Sequence, residues 1–171
     1  MSKEEYRDIS PALDVLYNIS KRVQETQHPY KEYIHMSVVE YLMQFCTIRV
    51  ATCRRGGHDY GLVKFLNEKR LKTFVISANH RMGKLIELEY NDFNEKSDSR
   101  YNGIKFVSWA KNSPFSLYGE GKRLYSDTQI IAINNSFLFS QKFEHKLYGI
   151  IHNFIFSKDV INKSFYVIFV H

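Results

Sequence analysis

The sequence predicts an α/β fold: a single domain of three layers, with a mainly parallel sheet of about five strands between flanking helices. Short apolar segments of strand length alternate with segments of helical periodicity, which is typical of α/β architectures. Residues 130–133 and 165–170 are almost continuously apolar, as in strands that are covered on both faces. The 171 residues are enough for one substantial core and too few for two ordinary domains.

Residues 1–45 are predicted to form an N-terminal helical segment packed on the α/β domain of residues 46–171. Five apolar residues spaced three or four apart predict a helix over residues 9–25, namely Ile9, Leu13, Leu16, Ile19 and Val23. After the break at Gln27, His28 and Pro29, residues 30–45 form a second helical stretch. We expect the pair to form one helical layer that leads into the first strand.

The remaining elements alternate between strand and helix. Strands are predicted at 47–52, 73–77, 104–109, 129–133 and 165–170. Helices are predicted at 62–69, 80–92 and 141–153. Small and charged residues predict exposed loops at 91–102 and 113–127.

The segment after the first strand has the glycine spacing of a phosphate loop. Gly56 and Gly61 stand five residues apart, as in G-x-x-x-x-G-K-[ST], and Gly57 follows the first of them. That motif binds phosphate through backbone N–H groups, a lysine and a hydroxyl group that holds Mg²⁺. Leu62 and Val63 occupy the lysine and hydroxyl positions and can supply neither group. The alternative interpretation is an ordinary strand-to-helix turn that needs glycine for a positive φ.

A second element lies at the end of the fourth strand. There Asn134 and Asn135 follow four apolar residues, at the place where P-loop ATPases carry Asp and Glu. The acids support Mg²⁺ and orient the attacking water, whereas asparagine is neutral and cannot act as a base. The alternative interpretation is a polar strand end that caps the following turn.

In these stretches the chain resembles the ATPase core of phage terminase large subunits and related helicase-like P-loop proteins. The resemblance covers roughly residues 30–171 and is carried by residues 49–57, 73–82 and 129–136. It implies a degenerate nucleotide site, in which Arg54 or Arg55 stands in for the absent lysine. The residues implied in this site are Arg54, Arg55, Gly56, Gly57, Gly61, Asn134 and Asn135.

The charge of the chain favours a polyanionic partner. The formal net charge is +6 and the pI is about 9.2, which is compatible with nucleic-acid binding. The candidate phosphate-contacting residues are Arg54, Arg55, Lys64, Arg81 and Lys84. The alternative is that these cations form an ordinary solvated surface.

Other classes of site have little support. Cys46 and Cys53 are interpreted as buried thiols in a reducing compartment. The seven histidines do not have metal-ligand spacing, and we expect neither a metal nor a cofactor. The N-terminal residues lack a signal peptide and no run is long enough to cross a membrane. We therefore predict a cytoplasmic protein without a membrane partner, in the host cytoplasm if its AT-rich residue usage reflects a phage origin.

These features predict a non-catalytic, P-loop-like binding protein of phage or viral type, which contacts a protein partner or nucleic acid. The alternative is a divergent ATPase or DNA-packaging motor fragment. It would use Arg54 or Arg55 in place of the phosphate-loop lysine and take its missing acid from Asp127 or from a partner subunit. A small nuclease is disfavoured because the sequence has no convincing acidic cluster.

Overall fold

The computed structural model describes residues 8–27, 37–51, 58–97, 101–108, 128–155 and 164–171. The helices in these ranges are α1 (Ser10–Gln27), α2 (Val38–Phe45), α3 (His58–Lys69), α4 (His80–Ser97) and α5 (Gln141–Ile155). The strands are β1 (Thr47–Val50), β2 (Thr73–Ser77), β3 (Ile104–Ser108), β4 (Ile130–Asn134) and β5 (Tyr166–Val170). A short 3-10 helix follows β4 at Ser136–Leu138.

The five strands form one parallel sheet in the order β1-β5-β4-β2-β3. The predicted α/β fold with a parallel five-stranded sheet is therefore confirmed. β4 and β5 lie inside the sheet and are buried along their whole length, as their continuous apolar sequence predicted. β1 is an edge strand, and the exposed Arg49 on it makes a bidentate hydrogen bond to Glu144 of α5.

Helices cover both faces of the sheet. One core contains side chains of α1, α3 and α4, including the fully buried Leu13, Phe65 and Ile86. The other contains side chains of α2 and α5, including Leu42 and Leu147. The two N-terminal helices thus lie on opposite faces, so the expectation that they form one layer is wrong. α1 buries Leu13 in the first core, and α2 buries Leu42 in the second.

α1 is also joined to the sheet by hydrogen bonds. The side-chain amide of Gln24 donates to the carbonyl oxygen of Phe165 at 3.1 Å and accepts from the N–H of the same residue at 3.3 Å. The hydroxyl of Ser20 donates to the carbonyl oxygen of Phe45 at 2.9 Å. These contacts make α1 part of the domain rather than an appendage.

Two helices extend four or more residues beyond their predicted limits. α3 begins at His58 rather than at residue 62, and α4 continues to Ser97 through much of the predicted loop at 91–102. The polar C-terminal turns of α4 remain helical because Phe93 packs against the core and Lys96 pairs with Asp92 one turn earlier. The predicted loop at 113–127 lies outside the described residues.

Candidate ligand site at the carboxyl edge of the sheet

All five strands end at the same edge because the sheet is parallel. β2 and β4 are neighbours in the sheet. From β2 the chain passes through α4 to β3, which lies next to β2 on the side away from β4. From β4 the chain passes through α5, on the face of the sheet opposite to α4, to β5, which lies next to β4 on the side away from β2. The carboxyl ends of β2 and β4 are therefore a topological switch point, and open α/β sheets bind ligands in the crevice outside such a point.

A row of polar side chains crosses the sheet at this point. Ser77 at the end of β2 is in register with Ser108 on β3 and with Asn134 on β4. The three residues share the face of Val75 and Ala132, two positions earlier, which pack into the core under α3 and α4. We call Ser77, Ser108 and Asn134 the polar row.

The first turn of α4 lies against two members of the polar row, Ser77 and Ser108. An ideal Cβ atom on Gly83, the fourth residue of α4, would lie 2.7 Å from Ser108 Oγ and 3.8 Å from Ser77 Cβ. Glycine permits this close approach because any larger residue would displace Ser108. The positive end of a helix dipole is thereby placed next to neutral donors and acceptors.

Two members of the polar row are buried and have no hydrogen-bond partner among the described residues. Asn134 is 0% exposed and Ser77 is 1% exposed. Within the described ranges, the side-chain oxygen and nitrogen of Asn134 and the hydroxyl of Ser77 have no hydrogen-bond partner. Each such group costs about 1–3 kcal/mol when it is left unsatisfied, so a buried polar group of this kind calls for a water molecule, an ion or a ligand. The polar row is therefore the strongest ligand-binding feature of the described structure.

The turn after β4 connects the polar row to two other elements. Asn135 has φ 54° and ψ 49°, a left-handed conformation that asparagine tolerates better than most residues. Its Oδ1 accepts a hydrogen bond from Nε2 of His58, the first residue of α3, at 2.9 Å. Ser136 Oγ lies 3.0 Å from Nδ1 of His171, the residue after β5. The turn thus holds the N-terminus of α3 beside the end of β4.

Of the predicted nucleotide-site residues, Asn134 and Asn135 lie at this edge. Gly61 lies within α3 and is buried, and an ideal Cβ on it would come within 2.5 Å of both Cγ1 and N of Ile9. Its small size is therefore required by the packing of α3 against the start of α1. The remaining four predicted residues lie outside the described residues, namely Arg54, Arg55, Gly56 and Gly57.

The predicted phosphate-contacting cations differ in their availability. Arg81 and Lys84 are exposed on α4 and lie three residues apart on one helix face. Lys64 instead donates to Asp8 Oδ2 at 2.5 Å, and this hydrogen bond raises the pKa of Lys64. Arg81 and Lys84 are therefore the exposed cations among the described members of the predicted cluster.

The edge combines the neutral groups of the polar row and two helix N-termini with one carboxylate, that of Asp59. Asp59, in the first turn of α3, places Oδ1 3.4 Å from Nε2 of His58. Across the described ranges, no group of three or more His, Cys, Asp and Glu side chains could hold a metal ion. The site suits a ligand that is recognised by hydrogen bonds and by the helix dipoles.

Sequence reasoning located the amide pair but missed its neighbours. Ser77, Ser108 and His58 are far apart along the chain and become neighbours only through strand order and register. The usable signal was a small or polar residue at or next to the carboxyl end of several predicted strands, since parallel strands end at one edge. His171 follows the fifth strand in the same way.

Comparison of the chain with protein-family models, with curated proteins and with solved structures found no match. Among the helices that are described, none combines the length and the apolar character needed to cross a membrane.

Proposed function

We propose that this chain is a non-catalytic, P-loop-like binding protein that contacts the phosphate groups of nucleic acid at the carboxyl edge of its sheet. The observation that carries the P-loop-like assignment is the amide pair at the end of β4, whereas the contacts to nucleic acid are assigned to the exposed Arg81 and Lys84 of α4. Asn134 is buried at the switch point, and Asn135 contacts the first residue of α3. The end of β4 and the start of the helix after β1 therefore meet, as the resemblance to P-loop proteins requires.

The absence of charge on Asn134 supports binding without catalysis. Phosphoryl transfer needs acids that support Mg²⁺ and a group that orients or deprotonates the nucleophile. A neutral amide provides neither function.

Three features favour a phosphate-bearing partner. The N-termini of α3 and α4 lie at the carboxyl edge, where their dipoles favour anions. The first turn of α4 contains no acidic residue, whereas Arg81 and Lys84 project from its exposed surface. The chain as a whole carries a formal charge of +6.

Mobility-shift titration with single-stranded and duplex DNA at two salt concentrations tests this proposal. We expect affinity to fall with salt, because each neutralised phosphate contributes a log–log slope of about −0.9 on duplex. The Arg81→Glu, Lys84→Glu double variant should bind more weakly regardless of base sequence, since phosphate contacts do not specify sequence. The matched control is Lys21→Glu, Arg22→Glu, which makes the same charge change on the exposed surface of α1.

Equal binding by the two double variants would contradict the assigned surface. Steady ATP hydrolysis by the wild type that disappears in Arg55→Ala would contradict the non-catalytic assignment and favour the divergent ATPase. Stabilisation by Mg-ATP in a thermal-shift assay would point in the same direction, because a ligand that binds the native state raises its stability.

A protein partner is the second candidate, and a specific observation favours it. Leu85 and Leu88 are 54% and 55% exposed and lie on α4 beside the two cations. If the wild type does not bind DNA at low salt, this mixed apolar and basic strip becomes the candidate surface for a protein. Substitution of Leu85 and Leu88 by serine should then abolish co-purification of that partner without loss of fold.

A further inference from the structure

We propose that the polar row and the first turn of α4 form a site for a small phosphate-type anion, which binds without a metal ion. This site is distinct from the nucleic-acid surface proposed above and does not depend on it. Its ligand would bind the buried side chains of Asn134 and Ser77, whereas a nucleic acid would contact the exposed side chains of α4.

The first argument is the unsatisfied polar groups. Asn134 and Ser77 are almost completely buried, and three of their side-chain atoms have no partner in the part of the chain that is described. A ligand that supplies hydrogen bonds to these atoms recovers the free energy that their burial costs. The two residues are opposite each other in register, so one small ligand reaches both.

The second argument is the sign of the local charge. Asn79 caps α4 by accepting from the N–H of Met82 at 3.0 Å, and the N–H of Gly83 bonds to the carbonyl oxygen of Asn79. By helix geometry, the N–H groups of His80 and Arg81 have no acceptor within the helix. These donors and the helix dipole favour an anion. A divalent cation such as Mg²⁺ is disfavoured because the polar row carries no carboxylate.

The third argument identifies phosphate among the small anions. Asn134 presents both a donor and an acceptor, and its Oδ1 needs a hydrogen from the ligand. Inorganic phosphate near neutral pH carries at least one P–OH group, whereas sulfate is fully deprotonated and cannot donate. We therefore expect the site to bind phosphate at least about fivefold more tightly than sulfate, because a buried acceptor is left unpaired in the sulfate complex.

A thermal-shift titration of the full chain with inorganic phosphate, matched in ionic strength with sulfate, tests the proposal. The melting temperature of the wild type should rise with phosphate by mass action and rise much less with sulfate. Asn134→Leu and Ser77→Ala should lose the phosphate-dependent rise. Without phosphate they should melt at or above the wild-type temperature, because they remove unpartnered polar atoms. Asn91→Leu, at an exposed position on α4, is the matched control and should keep the rise.

Asn134→Asp provides a second variant of nearly unchanged shape. Its negative charge should abolish the response to phosphate whether or not Asn134→Leu folds. A single-stranded oligonucleotide distinguishes the source of the phosphate: Asn134→Leu should leave oligonucleotide binding unchanged while abolishing the response to free phosphate. If Asn134→Leu weakens both, the buried site belongs to the nucleic-acid surface and the separate small-anion site is wrong.

Three other results would overturn the proposal. The first is no phosphate response of the wild type at millimolar concentrations. The second is an equal response to phosphate and sulfate. The third is a lower melting temperature of Asn134→Leu and Ser77→Ala in the absence of phosphate, together with an unchanged phosphate response. That outcome would mean that the polar row is a satisfied structural network. DNA binding by Arg81 and Lys84 is unaffected by any of these results, so the two proposals fail separately.

Discussion

Substitution of Gly61 by alanine tests whether this glycine serves helix packing or a phosphate loop. In the structure Gly61 lies inside α3, and an added Cβ would approach two atoms of Ile9 to 2.5 Å. Non-bonded carbon atoms prefer about 3.5–4.0 Å, so α1 and α3 must separate by roughly 1 Å to accept the methyl group. One of the two Ile9 atoms is the backbone nitrogen, which a change of rotamer cannot move.

The expected effect is the difference between two opposing terms. Overpacking of a close contact costs about 1–3 kcal/mol, and replacement of a helical glycine by alanine gains about 1 kcal/mol. We therefore expect Gly61→Ala to lower the free energy of unfolding by up to about 2 kcal/mol. For a chain of this size, each kcal/mol shifts the melting temperature by about 2–4 °C.

Gly149→Ala is the matched control because Gly149 is also helical, in α5, and an added Cβ there would have no atom within 4 Å. This variant should gain about 0.5–1 kcal/mol. Urea denaturation of both variants isolates the contact with Ile9, which should account for a difference of about 1–3 kcal/mol between them. If Gly61→Ala stabilises the protein as much as Gly149→Ala does, the packing argument is wrong and Gly61 is free to serve a ligand.

Three further predictions concern other contacts. Gly83→Ala should destabilise the wild type, because the added Cβ lies 2.7 Å from Ser108 Oγ. In the Ser108→Ala background it should not, because the remaining contacts are 3.8 and 3.9 Å. A double-mutant cycle should give a coupling energy of about 0.5–3 kcal/mol between the two residues, and no coupling would refute the contact. Burial opposes the ionisation of Asp8, but hydrogen bonds led by that from Lys64 lower its pKa. The stability that Asp8 contributes is therefore present above its unfolded pKa of about 3.9 and lost as the pH falls through the folded pKa; the advantage of wild type over Asp8→Asn in urea midpoint should shrink from pH 7 to about pH 3, and a constant advantage would contradict this. Ser37→Ala removes the capping box of α2 and should cost about 0.5–2 kcal/mol in urea denaturation, whereas an unchanged midpoint would mean that the cap contributes nothing.

The sequence was sufficient to predict each strand in the described ranges because each carries its own apolar signal. The completely buried β4 and β5 were the clearest, and both lie inside the sheet. The order of the strands in the sheet could not be predicted from the sequence, since it depends on which strands pair after the helices have packed. One signal for an edge was present: β1 alternates the buried Ile48 and Val50 with the exposed Arg49, as a strand with a partly solvated surface does.

The errors in helix limits have local causes. Gly61 was assigned to a loop because it fits the glycine spacing of a phosphate loop, but contact with Ile9 requires a small residue inside α3. The end of α4 was assigned to a loop because its residues are polar, although a surface helix needs only one buried stripe. The candidate site was found only at Asn134 and Asn135, since its other members come together through strand register.

An NMR titration of the full chain with inorganic phosphate tests the central claim, that the carboxyl edge of the sheet is where this protein binds anionic groups. The measurement follows the side-chain amide signal of Asn134 and the backbone amide signals of His80 and Arg81. The account predicts saturable shifts of these signals with a common affinity, while the side-chain amide of Gln24, which bonds to Phe165 at the opposite edge, stays unchanged. Shifts confined to the opposite edge, or none at these residues as phosphate reaches millimolar concentrations, would contradict it.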